Sequence, residues 1–306
     1  MPRKIEEWHW EITRSCNLLC KHCLTSCGKP NPRELKKPEA IAAVHKIRSL
    51  GCKRVMITGG EPFCREDLPE ILEELRLNRI KASVLTNGIS PFSKIIKTVL
   101  DSVSHLGVSL DGSCQQTNDF IRGSGSFKRT LRTIRSFVSV LPVYLYCTLS
   151  RVNLDDLTKV VELGNSLGVE GIHFSEITLR GRAYPNRSKF SLNREQKVKL
   201  AEIASTLTGM TSPATRCCAD LSALYMLSDG SVYPCTELAF IPPVFKIGRI
   251  TDEDFSTRLA QIEKKLACSV QPACCYSLYS GNGLVFLVNN VDQPSCPMAS
   301  KGRRYL

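Results

Sequence analysis

Short apolar runs alternate with helix-forming stretches through the first half of the chain, and this alternation limits the possible folds most strongly. The runs with the length and character of strands are residues 8–12, 55–58, 82–85, 107–110, 143–149 and 171–175. Helices are expected between them, for example over residues 155–167 with Asn153 as the N-cap. Repeated strand–helix units predict a parallel sheet, and six units fit an α/β fold with a partial (β/α)6 TIM-like barrel.

A group of cysteines directly after the first predicted strand has the spacing Cys-x3-Cys-x2-Cys. Its members are Cys16, Cys20 and Cys23. Three thiolates can hold three corners of a [4Fe–4S] cube and leave the fourth iron open for chemistry. A zinc site would need a fourth protein ligand, and His22 suits that role poorly because it lies directly beside Cys23. The spacing therefore favours an iron–sulfur cluster with an open iron.

Four glycine-rich or polar motifs follow, each expected at the carboxyl end of a strand, where barrels of this kind carry their chemistry. They occupy residues 58–62 (TGGEP), 85–88 (LTNG), 108–112 (VSLDG) and 121–127 (IRGSGSF). Taken alone, each has a structural interpretation: the glycine pair suits a tight turn, and the Asp-Gly step suits a type I′ turn. Their order after the cysteine group favours a single functional site.

This order of motifs resembles that of the radical S-adenosylmethionine (SAM) enzymes. The resemblance implies a SAM-binding [4Fe–4S] cluster on Cys16, Cys20 and Cys23, with Cys27 not ligating because a fourth cysteine would block SAM. The implied SAM contacts are His22 and Leu179 at the adenine, Gly59, Gly60 and Glu61 at the amino group, Ser109, and Arg122 at the carboxylate. An arginine suits the last task because its planar guanidinium binds a carboxylate through two hydrogen bonds.

The last third of the chain is rich in cysteine and resembles the SPASM or twitch domains that carry auxiliary iron–sulfur clusters. The resemblance implies a partial barrel over residues 1–187, then a linker helix near residues 191–207 and a SPASM/twitch-like domain within residues 188–306. At least one auxiliary [4Fe–4S] cluster is expected, with Cys217, Cys235, Cys274 and Cys296 as the favoured ligands. Cys218, Cys268 and Cys275 compete for these places, and a structural zinc ribbon is the alternative.

Composition and charge limit the location and the partners of the protein. The chain has 306 residues, 42% of them hydrophobic, and lacks both a signal-peptide core and a long apolar run, so we expect a cytoplasmic protein without a membrane partner. Its fifteen cysteines then indicate metal or redox work. The net charge of +12 favours an acidic partner. Nucleic acid is not favoured, because the cations are scattered and no nucleic-acid module is present.

The resemblance implies reductive cleavage of SAM to a 5′-deoxyadenosyl radical, which removes hydrogen from a substrate. We favour a ribosomally made peptide with an acidic leader, modified by crosslinking, epimerisation or excision. The chain begins at its first strand, so a separate leader-recognition protein is expected, together with a reductase or a flavodoxin or ferredoxin as electron donor. The alternatives are a formylglycine-forming sulfatase maturase and a non-enzymatic zinc-ribbon binding module. The sequence identifies no catalytic acid or base.

Overall fold

Strands and helices alternate along the chain from residue 7 to residue 176, as the sequence predicts. The computed structural model describes residues 5–90, 96–208, 223–236, 239, 245–269 and 285–288. The strands are β1 (Glu7–Thr13), β2 (Arg54–Gly59), β3 (Lys81–Thr86), β4 (Val103–Ser109), β5 (Val143–Leu149), β6 (Gly171–Glu176), β7 (Ala223–Met226), β8 (Ser231–Tyr233), β9 (Gly248–Arg249) and β10 (Val285–Val288). The helices are α1 (Lys37–Ser49), α2 (Leu68–Leu77), α3 (Ile96–Ser102), α4 (Gln115–Arg122), α5 (Ser126–Phe137), α6 (Leu157–Leu167), α7 (Arg187–Phe190), α8 (Arg194–Thr208) and α9 (Phe255–Ser269).

One sheet joins all of these strands in the order β10-β6-β5-β4-β3-β2-β1-β7-β8-β9. Strands β1 to β6 pair in parallel, each with the next along the chain. Helices lie between successive strands, because a parallel connection must cross back over the sheet. The predicted α/β fold with a partial (β/α)6 barrel is therefore confirmed. Within the described ranges, no helix has both the length and the apolar content that crossing a membrane requires.

The two faces of the barrel strands differ in character. On β1, Trp8, Trp10 and Ile12 are fully buried in the main apolar core, together with residues of α1 such as Val44. Side chains alternate along a strand, so the residues between them face the barrel interior. These interior residues include the buried carboxyl of Glu11. The core therefore lies between sheet and helices, and the interior is left for polar and aromatic groups.

Two aromatic side chains stack on the interior face of the neighbouring strands β5 and β6. Tyr146 and His173 are partners in the strand register and stack with ring centroids 4.6 Å apart. Gly107 on β4 makes room for the tyrosine, since a Cβ there would lie 2.7 Å from Tyr146 Cε2. Burial lowers the pKa of His173 to about 4. The ring is therefore neutral at physiological pH.

This low pKa predicts an acid-sensitive stability. In the unfolded chain the histidine has its ordinary pKa of 6.5, whereas the pKa of folded His173 is about 4. Stability is therefore present above pH 6.5 and is lost as pH falls toward 4, by about 2 kcal/mol between about pH 7.5 and about pH 5. We expect His173→Phe, which keeps the stack but cannot titrate, to lose that part of the pH dependence in urea unfolding. The exposed His45→Gln serves as the control, and an unchanged pH slope in His173→Phe would contradict the prediction.

The segments after residue 187 extend both edges of the same sheet. Strand β7 pairs in parallel with β1, and β7 and β8 form the predicted hairpin, turning at Asp229 and Gly230. Gly230 has φ +81°, which glycine adopts readily. Strand β10 pairs antiparallel with β6 at the other edge. Helix α8 corresponds to the predicted linker helix, and the domain boundary at residue 187 stays a prediction.

One capping prediction was wrong. Asn153 does not cap α6, which begins at Leu157 after a short 3-10 turn. Its side chain instead accepts from the Ser150 amide (2.8 Å) and donates to the carbonyls of Asp111 (3.0 Å) and Thr148 (2.9 Å). These bonds tie the ends of β4 and β5 together, and they outweigh the local preference of asparagine for a helix cap.

Candidate active site at the carboxyl edge of the sheet

A closed loop after β1 carries the three cysteines predicted to hold a cluster. The amide of Cys16 donates to the carbonyl of Gly28 at 3.0 Å, and the amide of Gly28 donates to the carbonyl of Arg14 at 2.9 Å. We call residues 14–28 the cluster loop. The two hydrogen bonds join the two ends of this loop. Cys16, Cys20 and Cys23 therefore all lie within one closed loop at the end of β1.

The surroundings of the three thiols differ. Burial raises the pKa of Cys16 to about 12 and also raises that of Cys20. A hydrogen bond with Cys27 instead lowers the pKa of Cys23 and raises that of Cys27. The assignment of Cys27 as a non-ligating cysteine stays a prediction. Metal binding requires deprotonated thiols. The positive charge of iron would stabilise the thiolates of Cys16 and Cys20 and so offset the effect of burial on their pKa values.

The donor set suits a [4Fe–4S] cube. The sulfur of Cys16 lies 3.5 Å from the amide of Leu18 and 3.9 Å from Nδ2 of Asn87, and N–H donors of this kind tune cluster sulfurs. In the described part of the chain, no three His, Cys, Asp or Glu side chains converge on one ion position. A cube does not require such convergence, since each thiolate binds a different iron. Cys16, Cys20 and Cys23 therefore stay the predicted ligands.

The glycine pair after β2 packs against the cluster loop. A Cβ on Gly59 would lie under 3.0 Å from the carbonyl oxygen of Thr13, and a Cβ on Gly60 would lie under 3.0 Å from that of Ser15. The amides of Gly60 and Glu61 donate to these same two oxygens at 2.8 Å. The glycines are needed for this close backbone approach. The amides of Gly60 and Glu61 are occupied by these bonds. The predicted SAM ammonium is itself a donor, so it would bind to oxygen acceptors of this stretch.

The carboxyl of Glu61 joins the ends of β2 and β3. It is fully buried and accepts from the Thr86 hydroxyl (2.7 Å), the Asn87 amide (2.7 Å) and the Phe63 amide (3.3 Å). Burial raises its pKa to about 7, against the effect of these hydrogen bonds. Glu61 thus connects the first and second motifs, and its side chain orders the edge on which the glycine pair and Asn87 lie.

Asn87 was not among the predicted site residues, although the second motif contains it. Its Nδ2 donates to the side-chain oxygen of Asn17 at 2.7 Å, and the same atom lies 3.9 Å from the Cys16 sulfur. The hydroxyl of Thr130 on α5 donates to its carbonyl at 2.9 Å. Asn87 therefore links the cluster loop, the end of β3 and α5.

A buried carboxylate joins two of the predicted SAM contacts. Asp111 Oδ2 lies 2.6 Å from Nε of Arg122 and 2.9 Å from Nε2 of His22, and the exposed fractions of these side chains are 0%, 9% and 9%. Burial works to raise the pKa of Asp111, but Arg122 and then His22 hold it well below its usual range. The Thr148 amide donates to the other carboxylate oxygen at 2.8 Å. Sequence reasoning named Arg122 and His22 but missed Asp111, which holds them together.

The two predicted adenine contacts meet at a small apolar cluster. Leu179 packs partly buried against this cluster, which is separate from the main core and consists of Ile121, Ile177, Ala183 and Phe190. The ring of His22 lies 6.5 Å from that of Phe190 between centroids. Ser109 ends β4 on the interior face, half-buried and opposite Tyr146. These residues line the same edge as the cluster loop.

Glu11 is a second carboxyl that sequence reasoning missed. It is 1% exposed on the interior face of β1, and the Ser228 amide donates to it at 3.4 Å. Burial raises its pKa to about 6. A buried carboxyl with a raised pKa, three residues before the cluster loop, is the kind of group that proton transfer uses. Its signal in the sequence was a charged residue inside an apolar strand.

The predicted auxiliary ligands fall in the less described part of the chain. Cys235 follows β8 and is half-buried. Cys217, Cys274 and Cys296 lie outside the described residues, as do the competing Cys218 and Cys275. These ligands stay predictions.

A comparison with known protein families identifies the superfamily to which this chain belongs. The model of the radical SAM superfamily matches residues 10–164, about half of the chain. The matched range includes the cluster loop, the glycine pair, Asp111 and Arg122 described above. The chain belongs to the radical SAM superfamily, and membership implies a [4Fe–4S] cluster and SAM.

Three individual proteins show how similar this chain is to known sequences and structures. Mycofactocin maturase MftC of Mycolicibacterium smegmatis is 28% identical over 181 residues, 55% of this chain and 46% of that protein. An AdoMet-dependent heme synthase of Methanosarcina barkeri is 33% identical over 177 residues, 56% of this chain and 51% of that protein. SuiB of Streptococcus suis, solved bound to precursor peptide SuiA, has a TM-score of 0.70 at 13% identity, covering 90% of this chain and 69% of that one. The likeness to SuiB shows the fold, and the chain spans about half the length of the curated relatives it matches.

Proposed function

We propose that this protein is a radical SAM enzyme that modifies a ribosomally made peptide. One observation supports this more than any other. The three thiols of the cluster loop, the glycine pair after β2 and the buried Asp111–Arg122 pair meet at the carboxyl edge of one parallel sheet. Barrels of this kind carry their chemistry at that edge. A zinc-binding module has no need for the second and third of these features.

When bound, the cluster and SAM would supply the chemistry, which is the one-electron reductive cleavage of SAM and removal of hydrogen from the substrate. The chain itself would bind and orient them. Cys16, Cys20 and Cys23 would hold three irons. Arg122, whose Nε lies 2.6 Å from Asp111 Oδ2, would bind the SAM carboxylate through its guanidinium.

The remaining proposed contacts orient SAM along the same edge. The oxygen acceptors of the 59–61 stretch receive the amino group, and Ser109 adds a polar contact. His22 and Leu179 line the adenine, supported by Phe190.

A peptide substrate fits the barrel interior and the charge of the chain. Tyr146, His173 and Glu11 give the interior stacking surfaces and a buried carboxyl. The net charge of +12 suits an acidic leader and would speed its association. Two proteins that the chain resembles, a maturase and one solved with a precursor peptide, support this substrate class. A separate leader-recognition protein is part of the proposal.

The proposal includes an auxiliary [4Fe–4S] cluster in a SPASM/twitch-like domain. Cys217, Cys235, Cys274 and Cys296 are its proposed ligands, by the resemblance of their spacing. Electrons would come from a reductase or from a flavodoxin or ferredoxin. A cytoplasmic location agrees with the use of many cysteines as metal ligands.

Mass spectrometry tests the peptide assignment. The reconstituted protein is incubated with SAM, dithionite and the low-mass peptide fraction of the cells it comes from, in heavy water. We expect 5′-deoxyadenosine together with a peptide that loses a pair of hydrogens or takes up deuterium. The Cys20→Ala variant is the control that should yield neither product. Turnover of a porphyrin with every peptide unchanged would contradict the peptide assignment.

The second candidate is a maturase that oxidises a serine or cysteine of a sulfatase to formylglycine. A sulfatase-derived peptide added to the same assay separates the two. An aldehyde on that peptide, detected by its mass and by hydrazide labelling, would favour the sulfatase maturase.

A further inference from the structure

The segment after β6 folds back onto the cluster loop and binds its backbone. Three N–H groups of Arg182 donate to cysteine carbonyls of that loop: the amide to Cys23 (2.9 Å), Nε to Cys20 (2.8 Å) and Nη1 to Cys27 (2.7 Å). The side chain of Asn186 donates in turn to the carbonyl of Arg182 at 2.9 Å. One residue thus binds the backbone at two of the proposed cluster ligands, Cys20 and Cys23, and at Cys27.

The neighbouring glycine brings the two backbones into direct contact. Gly181 has φ +55°, and a Cβ there would lie under 3.0 Å from the carbonyl oxygens of both Cys23 and Leu24. Any other residue would push the segment away from the cluster loop. The close approach is therefore built into the sequence, and it is what brings Arg182 within reach of three carbonyls.

The guanidinium of Arg182 lies against the backbone of the cluster loop. Its Nε and Nη1 are within hydrogen-bond distance of the carbonyls of Cys20 and Cys27, which fixes a positive charge next to the proposed cluster position. Reduction of a cluster adds negative charge, so a fixed neighbouring cation stabilises the reduced form more than the oxidised form. Hydrogen bonds and charge around a cluster are among the factors that set its potential.

We propose that Arg182 is a positioning residue that holds the cluster loop through its carbonyls and raises the reduction potential of the cluster bound there. The proposal rests on the proposed function, since it takes Cys16, Cys20 and Cys23 as the ligands. It adds a role that none of the predicted SAM contacts performs. The two parts of this role depend on different properties of the side chain. The planar guanidinium, with its N–H groups in two directions, holds the cluster loop. Its positive charge raises the reduction potential.

Three variants of the full, reconstituted protein test the two parts. Arg182→Gln removes both the charge and the planar guanidinium. Arg182→Lys keeps the charge but removes the guanidinium. Arg187→Gln removes an exposed charge five positions further along the chain. Arg187 contacts Tyr184 rather than the cluster loop, so it is the matched control. For each variant, iron per chain, the potential from an EPR-monitored dithionite titration, and the rate of iron loss to a chelator are measured.

We expect Arg182→Gln to disfavour reduction of the cluster about tenfold, which for a one-electron couple is about 59 mV toward more negative potential. Arg182→Lys should keep a potential near that of the wild type but lose iron to the chelator about tenfold faster, as outer-shell partners of metal sites do. Arg187→Gln should match the wild type in all three measurements.

Two results would overturn the proposal. One is an Arg182→Gln variant with wild-type potential and wild-type chelation rate. The other is an Arg182→Lys variant that loses iron no faster than the wild type, and this readout decides the matter even where Arg182→Gln holds no cluster. Failure of the proposed function is a different outcome, because then the wild-type protein itself would bind no [4Fe–4S] cluster.

Discussion

Cys20→Ala is expected to abolish SAM cleavage, lowering the yield of 5′-deoxyadenosine by more than about a hundredfold. Even the outer-shell partners of a metal site are worth 10- to 100-fold, so the loss of a ligand should cost more. Cys20 is buried, and its sulfur lies 3.9 Å from the carbonyl of Arg122. The measurement is the yield of 5′-deoxyadenosine after anaerobic reconstitution.

Two other cysteines serve as controls for this variant. Cys114→Ala changes an exposed thiol outside the cluster loop and should leave cleavage unchanged. Cys27→Ala changes a buried cysteine of the cluster loop and should keep the cluster, because Cys27 is not among the proposed ligands. Cleavage by Cys20→Ala at the wild-type rate would remove the ligand assignment. Loss of the cluster in Cys27→Ala would identify Cys27 as a ligand instead.

Arg122→Met should give the second large effect, a loss of stability of about 3–5 kcal/mol. The substitution leaves Asp111, 0% exposed, as a buried charge without its closest cation. The double variant Asp111→Asn/Arg122→Met removes both charges and should recover much of the loss, since replacing both partners of a buried pair is often nearly neutral. Urea unfolding of the iron-free, reduced chain measures these free energies.

The same substitution should abolish SAM binding, because Arg122 is the proposed partner of its carboxylate. Recovery of stability without recovery of binding in the double variant would separate the two roles of this residue. Arg135→Met, on the exposed side of α5, is the matched control and should change stability by less than about 0.5 kcal/mol. An Arg122→Met chain with wild-type stability and wild-type SAM binding would contradict the assignment.

The strands and the edge that carries the site were predictable, because both follow from local patterns. Apolar runs separated by helical stretches identify parallel strands, and the carboxyl ends of such strands meet at one edge. This placed Gly59 and Ser109 at the ends of their strands, where β2 and β4 end in the structure. The hairpin at Gly230 was also a local signal, since an Asp-Gly step favours that turn.

Contacts between distant parts of the chain were not predictable from local patterns. Arg182 and Cys20 are separated by 162 positions, and nothing in the sequence near either residue indicates the other. Asp111 was interpreted only as part of a turn, because its partners His22 and Arg122 lie on other segments. Asn153 had the local signature of a helix cap, but its side chain binds Ser150 and Thr148 nearby and Asp111, 42 positions away. The close packing of the glycine pair on Thr13 and Ser15 was missed for the same reason.

Anaerobic reconstitution with iron and sulfide, followed by SAM and dithionite, tests the central claim most directly. We predict a brown protein whose iron equals two [4Fe–4S] clusters per chain and which releases 5′-deoxyadenosine. Iron for one cluster with cleavage would keep the enzyme and remove the auxiliary cluster. A colourless protein that binds zinc and leaves SAM intact would contradict the account.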